Sequence, residues 1–367
     1  MQNLLKENLL VSPFLVFYII HAMQMGIGIL DVAQISHPAG HDTWISIIMS
    51  GLSIHILIWI LFRILNNGKG DIIALHRELF GKWVGGTLSL MFVLYMLMLG
   101  LTALRVYVEI IQLWVFPQLS TWFFSIVVLL VACYFVINGF RVVTGICFLS
   151  TLYTLPLLVT FLFPLQFAHY SNLFPIMDHS ISDILVSTKN GTLSMTGFEM
   201  LLIFYPFIKR PEQSEKWAHV AILFTTLIYV FVAIVTFVYY HQDQLQHIVW
   251  STIMFWKIIE IPALERFEHL GIAAWLFIVL PNICLAIWGA HRGLIQLFPF
   301  NKKFLILAIM FVIVIASGIF ETRTSIEKLR TITGEVSYYF VYGYIPFLFI
   351  AQKIILKIKG KEKKHNQ

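Results

Sequence analysis

Two short glycine motifs inside long apolar runs are the strongest candidates in this chain for a functional site. They are Gly26-Ile27-Gly28, within the run 13–35, and Gly197-Phe198-Glu199, within the run 187–208. Each glycine disfavours a helix by about 1 kcal/mol relative to alanine, and backbone groups freed inside a bilayer find no partner in lipid. An interruption is therefore best tolerated where something binds, and a carboxylate at membrane depth marks a functional site by default.

The chemistry that these motifs predict is the binding of a small ligand. If each run is a helix broken at its glycines, the N-terminal end of each second half-helix is positive and favours a carboxylate. The carbonyl ends of the first half-helices, with Glu199 if it is ionised, suit an ammonium group. An amino acid satisfies both ends, whereas a sugar uses the same backbone groups as neutral donors and acceptors. The predicted ligand-binding residues are Gly26, Ile27, Gly28, Thr196, Gly197, Phe198 and Glu199.

Each feature also has a structural interpretation. Small residues such as Gly26 and Gly28 allow a neighbouring helix to approach closely in a membrane. Glu199 can be a protonated acid that is hydrogen-bonded to a neighbouring helix. Arg105 and Glu109 stand four residues apart and hence on one helical face. They form either a structural ion pair or a gate over the site.

Motifs for other kinds of chemistry are missing from the sequence. It contains no phosphate-binding GxxxxGK[ST] loop, metal-hydrolase motif or nucleophile elbow, so an enzyme is not expected. His37 and His41 share helical spacing but flank Pro38 and Gly40, and we expect no metal site there. The three cysteines lie in apolar runs without CxxC spacing and are expected to be core residues. No cofactor is expected. No nucleic-acid partner is expected either, because the basic residues sit in short loops and a tail.

The elements that hold these motifs are expected to be membrane helices. Of the 367 residues, 59% are hydrophobic and only 12% are charged, with a mean hydropathy of +0.83. A soluble domain carries about 25% charged residues, so we predict an all-α polytopic membrane protein. Ten apolar runs predict transmembrane helices at 13–35, 44–65, 84–113, 122–139, 143–167, 187–208, 217–240, 271–289, 304–320 and 337–355.

The distribution of Lys and Arg predicts the orientation of the chain. With an even number of spans both termini share one side, and the lysines of the tail, 356–367, place that side in the cytoplasm. Eighteen of the 25 basic residues then lie on the cytoplasmic side, six on the outer side, and Arg105 within the third span. The outer connection 241–270 carries spaced apolar residues and is predicted to lie on the membrane surface.

The two interrupted runs are the first and the sixth of ten, which are corresponding members of two groups of five. Because five is odd, two such repeats enter the membrane from opposite sides, as in secondary transporters built from inverted repeats. We therefore predict one membrane domain over 1–367, with five-helix repeats at 13–167 and 187–355 and with helices 1 and 6 broken. Ligand binding is expected at the paired interruptions near the bilayer midplane.

With these features the sequence resembles the amino-acid/polyamine/organocation permeases, which have a leucine-transporter-like fold. Within them it resembles the endospore permeases that form the B subunit of spore germinant receptors. The residues that carry the resemblance are Gly26-Ile27-Gly28, His41-Asp42-Thr43-Trp44-Ile45-Ser46 at the start of the second span, Gly197-Phe198-Glu199 and Tyr205-Pro206-Phe207. Length, ten-span layout and basic tail extend it along nearly the whole chain. The resemblance implies a small-molecule receptor in the spore inner membrane that works with an A subunit and a lipoprotein C subunit.

Three kinds of function fit these patterns. The leading interpretation is a ligand-sensing subunit that binds a germinant at the two breaks and signals to partner subunits. The alternatives are an active amino-acid transporter and a regulated pore for water or ions. Sodium-driven members of the resembled fold complete a cation site with hydroxyl side chains on the eighth span, whereas residues 271–294 contain no Ser or Thr. We therefore expect ligand binding that does not depend on sodium.

Overall fold

The chain folds almost entirely as helices. The computed structural model describes residues 7–25, 32–68, 70–245, 247–260 and 266–365. Within these ranges no β-strand occurs, and one isolated bridge joins Val11 to Ile208. Helical structure suits an apolar chain in lipid, because the backbone N–H and C=O groups of a helix are hydrogen-bonded within the helix.

The α-helices of the described residues follow one another with short connections. They are α1 (Leu15–Met25), α2 (Val32–Ile35), α3 (Thr43–Asn67), α4 (Ile72–Trp114), α5 (Thr121–Ile137), α6 (Phe140–Thr160), α7 (Ile181–Asn190), α8 (Thr192–Met195), α9 (Leu201–Phe204), α10 (Glu215–Tyr239), α11 (Gln242–Leu245), α12 (Ser251–Met254), α13 (Phe267–Leu297), α14 (Lys302–Ile319), α15 (Arg323–Tyr338) and α16 (Ile345–His365). A π-helix, Tyr339–Tyr344, joins α15 to α16, and a 3-10 helix, Phe198–Met200, precedes α9.

Seven helical segments in the described ranges are long and apolar enough to cross a membrane, and the chain is a multi-pass membrane protein. They are Gly40–Asn67, Ile72–Trp114, Phe140–Phe167, Pro211–Tyr239, Phe267–Leu297, Lys302–Ile319 and Arg323–Ile358. Three shorter apolar segments, Leu15–Met25, Thr121–Ile137 and Phe198–Phe207, fall in the predicted first, fourth and sixth spans. The prediction of an all-α membrane protein is confirmed at this level.

The longest helices form the centre of the fold. α4 packs most extensively against α13, and α1 lies against α6, α10 and α13. Tyr107 of α4 is buried there, and its hydroxyl donates to Ile272 O of α13 at 3.0 Å. α5 and α14 instead expose apolar side chains such as Phe123 and Leu307. Extended apolar faces that are exposed mark contact with a membrane or a partner.

The last membrane helix begins earlier than predicted. Helical structure starts at Arg323 rather than at 337 and continues through the π-helix to His365. Thr322 caps this start, because its hydroxyl accepts from Ser325 N at 3.2 Å. α15 carries several charged residues, yet one of its faces buries Ile326 and Leu329. It is an amphipathic helix that lies against α4 and α8.

The described apolar residues spaced along the connection that follows α10 are buried in the protein, in place of the membrane contact that the sequence predicted. Up to residue 260 it forms α11, α12 and a 3-10 helix, Phe255–Ile258. Ile253 and Trp256 are fully buried, and the Trp256 indole donates to Thr160 Oγ1 at 2.8 Å. The spaced apolar residues therefore pack against the protein, with α12 against α10 and α13.

Candidate ligand site at the helix interruptions

The sixth predicted span is interrupted at Thr196 and Gly197. α8 ends at Met195, Thr196 is extended with φ −78° and ψ 174°, and Gly197 has φ +114°. Helical structure resumes at Phe198. A left-handed φ favours glycine, and a Cβ on Gly197 would lie 2.5 Å from the Cβ of Met23 in α1. The conformation and the close approach both require glycine at this position.

The first predicted interruption falls between α1, which ends at Met25, and α2, which begins at Val32. The predicted ligand-binding residues of this motif, Gly26, Ile27 and Gly28, lie outside the described residues. The end of α1 nevertheless reaches the second interruption directly, because Met23 contacts Gly197.

Carbonyl groups near the end of α1 and at the interruption of the sixth span are paired by side-chain donors from other helices. Gln24 Nε2 donates to Met195 O at 2.7 Å. Tyr229 of α10 donates its hydroxyl to Gln24 O at 2.8 Å. Asn282 of α13 donates Nδ2 to Ala22 O at 3.0 Å. These bonds tie α1 to α8, α10 and α13 and supply partners that lipid cannot offer.

Glu199 turns back toward the start of its own helix. It is fully buried, and its Oε2 accepts from Gly197 N at 2.7 Å. Its Oε1 accepts from the Tyr95 hydroxyl of α4 at 2.7 Å, and that hydroxyl lies 3.2 Å from Ser337 Oγ of α15. Glu199 therefore satisfies a backbone N–H at the interruption and links it to α4 and α15. Phe198 is buried beside it.

A cavity of about 450 Å³ opens beside the end of α1 and the interruption at Gly197, within the range of about 300–1,000 Å³ found for small-molecule sites. Its polar lining is Gln24, Ser194, Thr196, Gly197, Thr102 and Asn282, and its apolar lining includes Met23, Leu99, Ala103 and Val106. Of the predicted ligand-binding residues, Thr196 and Gly197 therefore line the cavity, whereas Phe198 and Glu199 lie behind its wall. Amide, hydroxyl and backbone groups face the same space as apolar side chains of α4, an arrangement that suits a small polar molecule.

Charged side chains of both signs line the mouth of the cavity. They are Lys189, Glu327, Arg330 and Glu335. Arg330 Nη1 lies 3.2 Å from Glu327 Oε2, and its guanidinium lies 5.4 Å from the centre of the Trp250 ring. Lys189 Nζ lies 5.3 Å from the Tyr338 ring. The mouth therefore presents anions and cations together, while the described lining near the interruptions is uncharged.

Arg105 and Glu109 have separate partners. Glu109 Oε1 accepts from Arg323 Nη1 of α15 at 3.0 Å. Arg105 is fully buried, and its Nε donates to Phe320 O, just after α14, at 2.6 Å. Neither residue lines the cavity. In place of a mutual ion pair, which was one of the two alternatives for this spacing, the two side chains hold α4 against the junction between α14 and α15.

Sequence reasoning did not single out Gln24, Tyr95 or the residues of α15. Gln24 and Tyr95 are isolated polar residues in apolar runs, and this signal was available because such residues need partners at membrane depth. The residues of α15 were assigned to a loop because the helix is too polar to stand out by hydropathy.

The chain is similar to known proteins over most of its length. The profile of the family described as "Spore germination protein" matches residues 10–326. The spore germination protein GerQB of Bacillus cereus is 39% identical over 350 residues, covering 95% of this chain and 97% of that protein. The spore germination protein YndE of Bacillus subtilis (strain 168) is 23% identical over 313 residues, covering 84% of this chain and 86% of that protein. Spore germination protein A2 of the same organism is 20% identical over 309 residues, with coverage of 81% and 83%.

Proposed function

The chain belongs to the spore germination protein family, and from this premise we propose that it is a germinant-sensing membrane subunit. A small nutrient, an amino acid or a sugar, binds in the cavity beside the interruptions and favours one of two conformations. The change passes to partner subunits. Family membership supports a role in spore germination, and the cavity supports the binding of a small ligand.

The observation that carries the binding step is an unpaired acceptor in the cavity wall. Gln24 is 1% exposed, and its Oε1 accepts no hydrogen bond from any described residue. Its Nε2 is held on Met195 O, which sets the orientation of the amide. Leaving a buried acceptor unpaired costs about 1–3 kcal/mol. A ligand ammonium or hydroxyl that donates to Gln24 Oε1 removes this cost, and both proposed ligand classes carry such a donor.

A ligand shifts a conformational equilibrium only if it binds the two conformations with different affinity. A movement of the cavity walls would change the affinity for a ligand, because the walls come from separate elements. They are α1 and α8 on one side and α4, α13 and α15 on the other. α15 leads into the π-helix, and π-helices are frequent at functional sites. Tyr344, at the end of the π-helix, contacts His76 Nε2 of α4 at 2.7 Å. Movement of α15 at the cavity is therefore expected to reach the turns of α4 that precede its kink at Gly81, where φ is +75°.

The proposal includes the ten-span topology with broken helices 1 and 6. The three shorter apolar helices occupy predicted spans that the seven long segments leave open, which supports the count. Val11, before the first span, exchanges backbone hydrogen bonds of 2.8 Å with Phe207 and Lys209, at the end of the sixth. The beginning of one span therefore lies beside the end of the other. The two spans run in opposite directions, which supports the inverted repeats 13–167 and 187–355.

We place both termini and the basic tail, 356–367, in the cytoplasm, because most Lys and Arg residues then lie on that side. The cavity mouth, with Lys189 and Arg330, then faces the outer side of the spore inner membrane. The proposed partners are a germinant receptor A subunit and a lipoprotein C subunit, as the resemblance of the sequence implies. Similarity to several spore germination proteins supports this setting.

One experiment on the purified full-length chain separates sensing from transport. Proteoliposomes are given radiolabelled amino acids and sugars, and bound and internal label are counted with and without a membrane potential. A sensing subunit predicts saturable binding of at most one ligand per chain and no further uptake. Accumulation in the lumen that an ionophore abolishes would favour the active amino-acid transporter and contradict the proposal.

A further inference from the structure

A second cluster of chemically capable side chains lies away from the cavity, where the beginnings of α3 and α7 meet. Asp42 immediately precedes α3, while Asp178 and His179 lie just before Ser180, which caps α7. His179 Nδ1 lies 3.1 Å from Asp42 Oδ2 and 2.7 Å from Asp178 Oδ1. The three potential ligand atoms all lie within 4.8 Å of one another. Two carboxylate oxygens and one imidazole nitrogen therefore converge on one point.

The surrounding backbone holds this cluster in place. Asp42 is 1% exposed, and its carboxylate accepts from Met177 N at 2.8 Å and from His179 N at 3.3 Å. Such bonds fix the orientation of a carboxylate, as outer-shell bonds do in metal sites. Gly40 has φ +50°, and a Cβ there would lie 2.7 Å from the His179 ring. The imidazole can occupy its position only because residue 40 is glycine.

Hydrogen bonds alone leave the cluster incomplete. His179 Nδ1 carries at most one hydrogen, yet carboxylate oxygens of both Asp42 and Asp178 lie within bonding distance of it. One proton cannot serve both acceptors fully. The neighbouring His41 adds a further unpaired group, because its Nε2 is buried and has no hydrogen-bond partner among the described residues. A cation at the point of convergence would satisfy all three side chains at once.

We propose that Asp42, Asp178 and His179 bind a divalent transition-metal ion of the Zn²⁺ class. Imidazole nitrogen combined with carboxylate oxygen suits Zn²⁺, whereas Ca²⁺ takes six to eight oxygen ligands. The fourth position of a tetrahedral ion is filled by water. Binding through His179 Nδ1 requires the neutral imidazole with its hydrogen on Nε2.

The ion would join two elements that are distant in sequence. α7 begins beside the cluster and ends with Lys189 and Asn190 at the cavity mouth. A metal ion that holds the beginning of α7 against α3 therefore stabilises the outer part of the sixth predicted span without entering the cavity. The metal site does not depend on the identity of the germinant or on the sensing function.

The test uses the full-length chain, purified in detergent without a histidine tag and stripped of metal with a chelator. Zn²⁺ is titrated in competition with a fluorescent zinc indicator, and the midpoint of thermal unfolding is measured with and without Zn²⁺. The site variants are His179→Gln and Asp178→Asn. The matched controls are Asp183→Asn, a nearby carboxylate that bonds to Ser180, and His219→Gln, which removes half of the His55–His219 pair whose Nδ1 atoms lie 2.7 Å apart.

Wild type and both controls are expected to bind one Zn²⁺ per chain and to unfold at a higher temperature in its presence, with no response to equal Ca²⁺. Both site variants are expected to bind Zn²⁺ at least about tenfold more weakly, since loss of even an outer-shell partner costs about 10–100-fold. The Asp178 side chain is 45% exposed, so Asp178→Asn is expected to fold. If His179→Gln fails to fold, the zinc affinity of Asp178→Asn tests the proposal. Unchanged affinity in Asp178→Asn, or loss of binding in His219→Gln alone, would overturn the proposal.

Discussion

Gly197 and Met23 meet where α1 approaches the interruption of the sixth predicted span, so closely that a Cβ on Gly197 would lie 2.5 Å from the Met23 Cβ. The same glycine has φ +114° and donates its N–H to Glu199. One residue therefore sets the distance between α1 and the sixth predicted span, the direction of the second half-helix and the orientation of the buried acid.

Gly197→Ala is expected to lower stability and to weaken the germinant response. An L-residue in the left-handed region costs about 1–2 kcal/mol, and the overlap with Met23 pushes the two helices apart. We expect a lower midpoint of thermal unfolding and a shift of the germinant dose–response by about tenfold or more, which corresponds to about 1.4 kcal/mol.

Gly145→Ala in α6 is the matched control for this substitution. Nothing lies within 4 Å of a Cβ built on Gly145, and alanine favours a helix by about 0.5–1 kcal/mol relative to glycine. This variant should be as stable as wild type or more so. If Gly197→Ala behaved like Gly145→Ala in both measurements, the close approach at the interruption would have no functional role.

Tyr95 and Glu199 are expected to act as one structural unit. Tyr95→Phe leaves Glu199 Oε1 without its donor, and Glu199→Gln places an amide N–H₂ opposite one of the two donors. Losing such a buried partner costs about 1–3 kcal/mol, so both variants should unfold at lower temperature than wild type. Tyr134→Phe, on an exposed face of α5, should have no effect.

The ligand dependence of Glu199→Gln distinguishes two roles of the acid. Because Glu199 lies behind the cavity wall, its loss should weaken responses to amino acids and to sugars equally. The sequence predicted a carboxylate that contacts a ligand ammonium. Selective loss of the amino-acid response at normal abundance of the chain would support that earlier interpretation and contradict the structural one.

Ligand binding is expected to be independent of sodium. Residues 271–294 offer no hydroxyl side chain, and Asn282 of α13 donates an N–H to Ala22 O of α1. A donor therefore already occupies one carbonyl between these two helices. Affinity measured by calorimetry should be equal in sodium chloride and choline chloride. A reproducible tenfold gain in sodium would refute this expectation.

The orientation of the chain can be tested with single cysteines in a variant that lacks Cys133, Cys147 and Cys284. Asp243, whose side chain is 86% exposed, is expected on the outer side, and exposed Lys216 in the cytoplasm. An impermeant thiol reagent added to intact cells should label Asp243→Cys at once and Lys216→Cys only after permeabilisation. Labelling of Lys216→Cys in intact cells would overturn the ten-span topology.

The interruption in the sixth span could be predicted because its cause is local. Gly197 next to an acid in an apolar run opposes a continuous helix wherever the rest of the chain lies. The partner of the acid could not be predicted, because Tyr95 and Glu199 are 104 residues apart. Their contact depends on the rotation and register of α4 against the sixth span, which no local pattern specifies.

The third predicted span, α4, shows the same limit for a different pair of residues. The spacing of Arg105 and Glu109 shows that the two side chains can meet on one helical face. It does not show that Arg323, which the sequence places between predicted spans, competes with Arg105 for Glu109. Thr322 as N-cap and the helical spacing of buried Ile326 and Leu329 were the usable signals for α15. Hydropathy alone missed that helix because charged residues lower its apolar average.

The central claim is that the cavity beside the interruptions is where the germinant is sensed, and filling the cavity tests it most directly. Ala103 of α4 lines the cavity, so Ala103→Phe removes space that a ligand needs. Ala273→Phe adds the same bulk at an exposed position of α13.

The measurement is a germinant dose–response in spores that carry each variant, with abundance of the chain matched by immunoblot. We predict at least a tenfold loss of sensitivity for Ala103→Phe and none for Ala273→Phe. Full sensitivity of Ala103→Phe at normal abundance would contradict the account and place the ligand elsewhere.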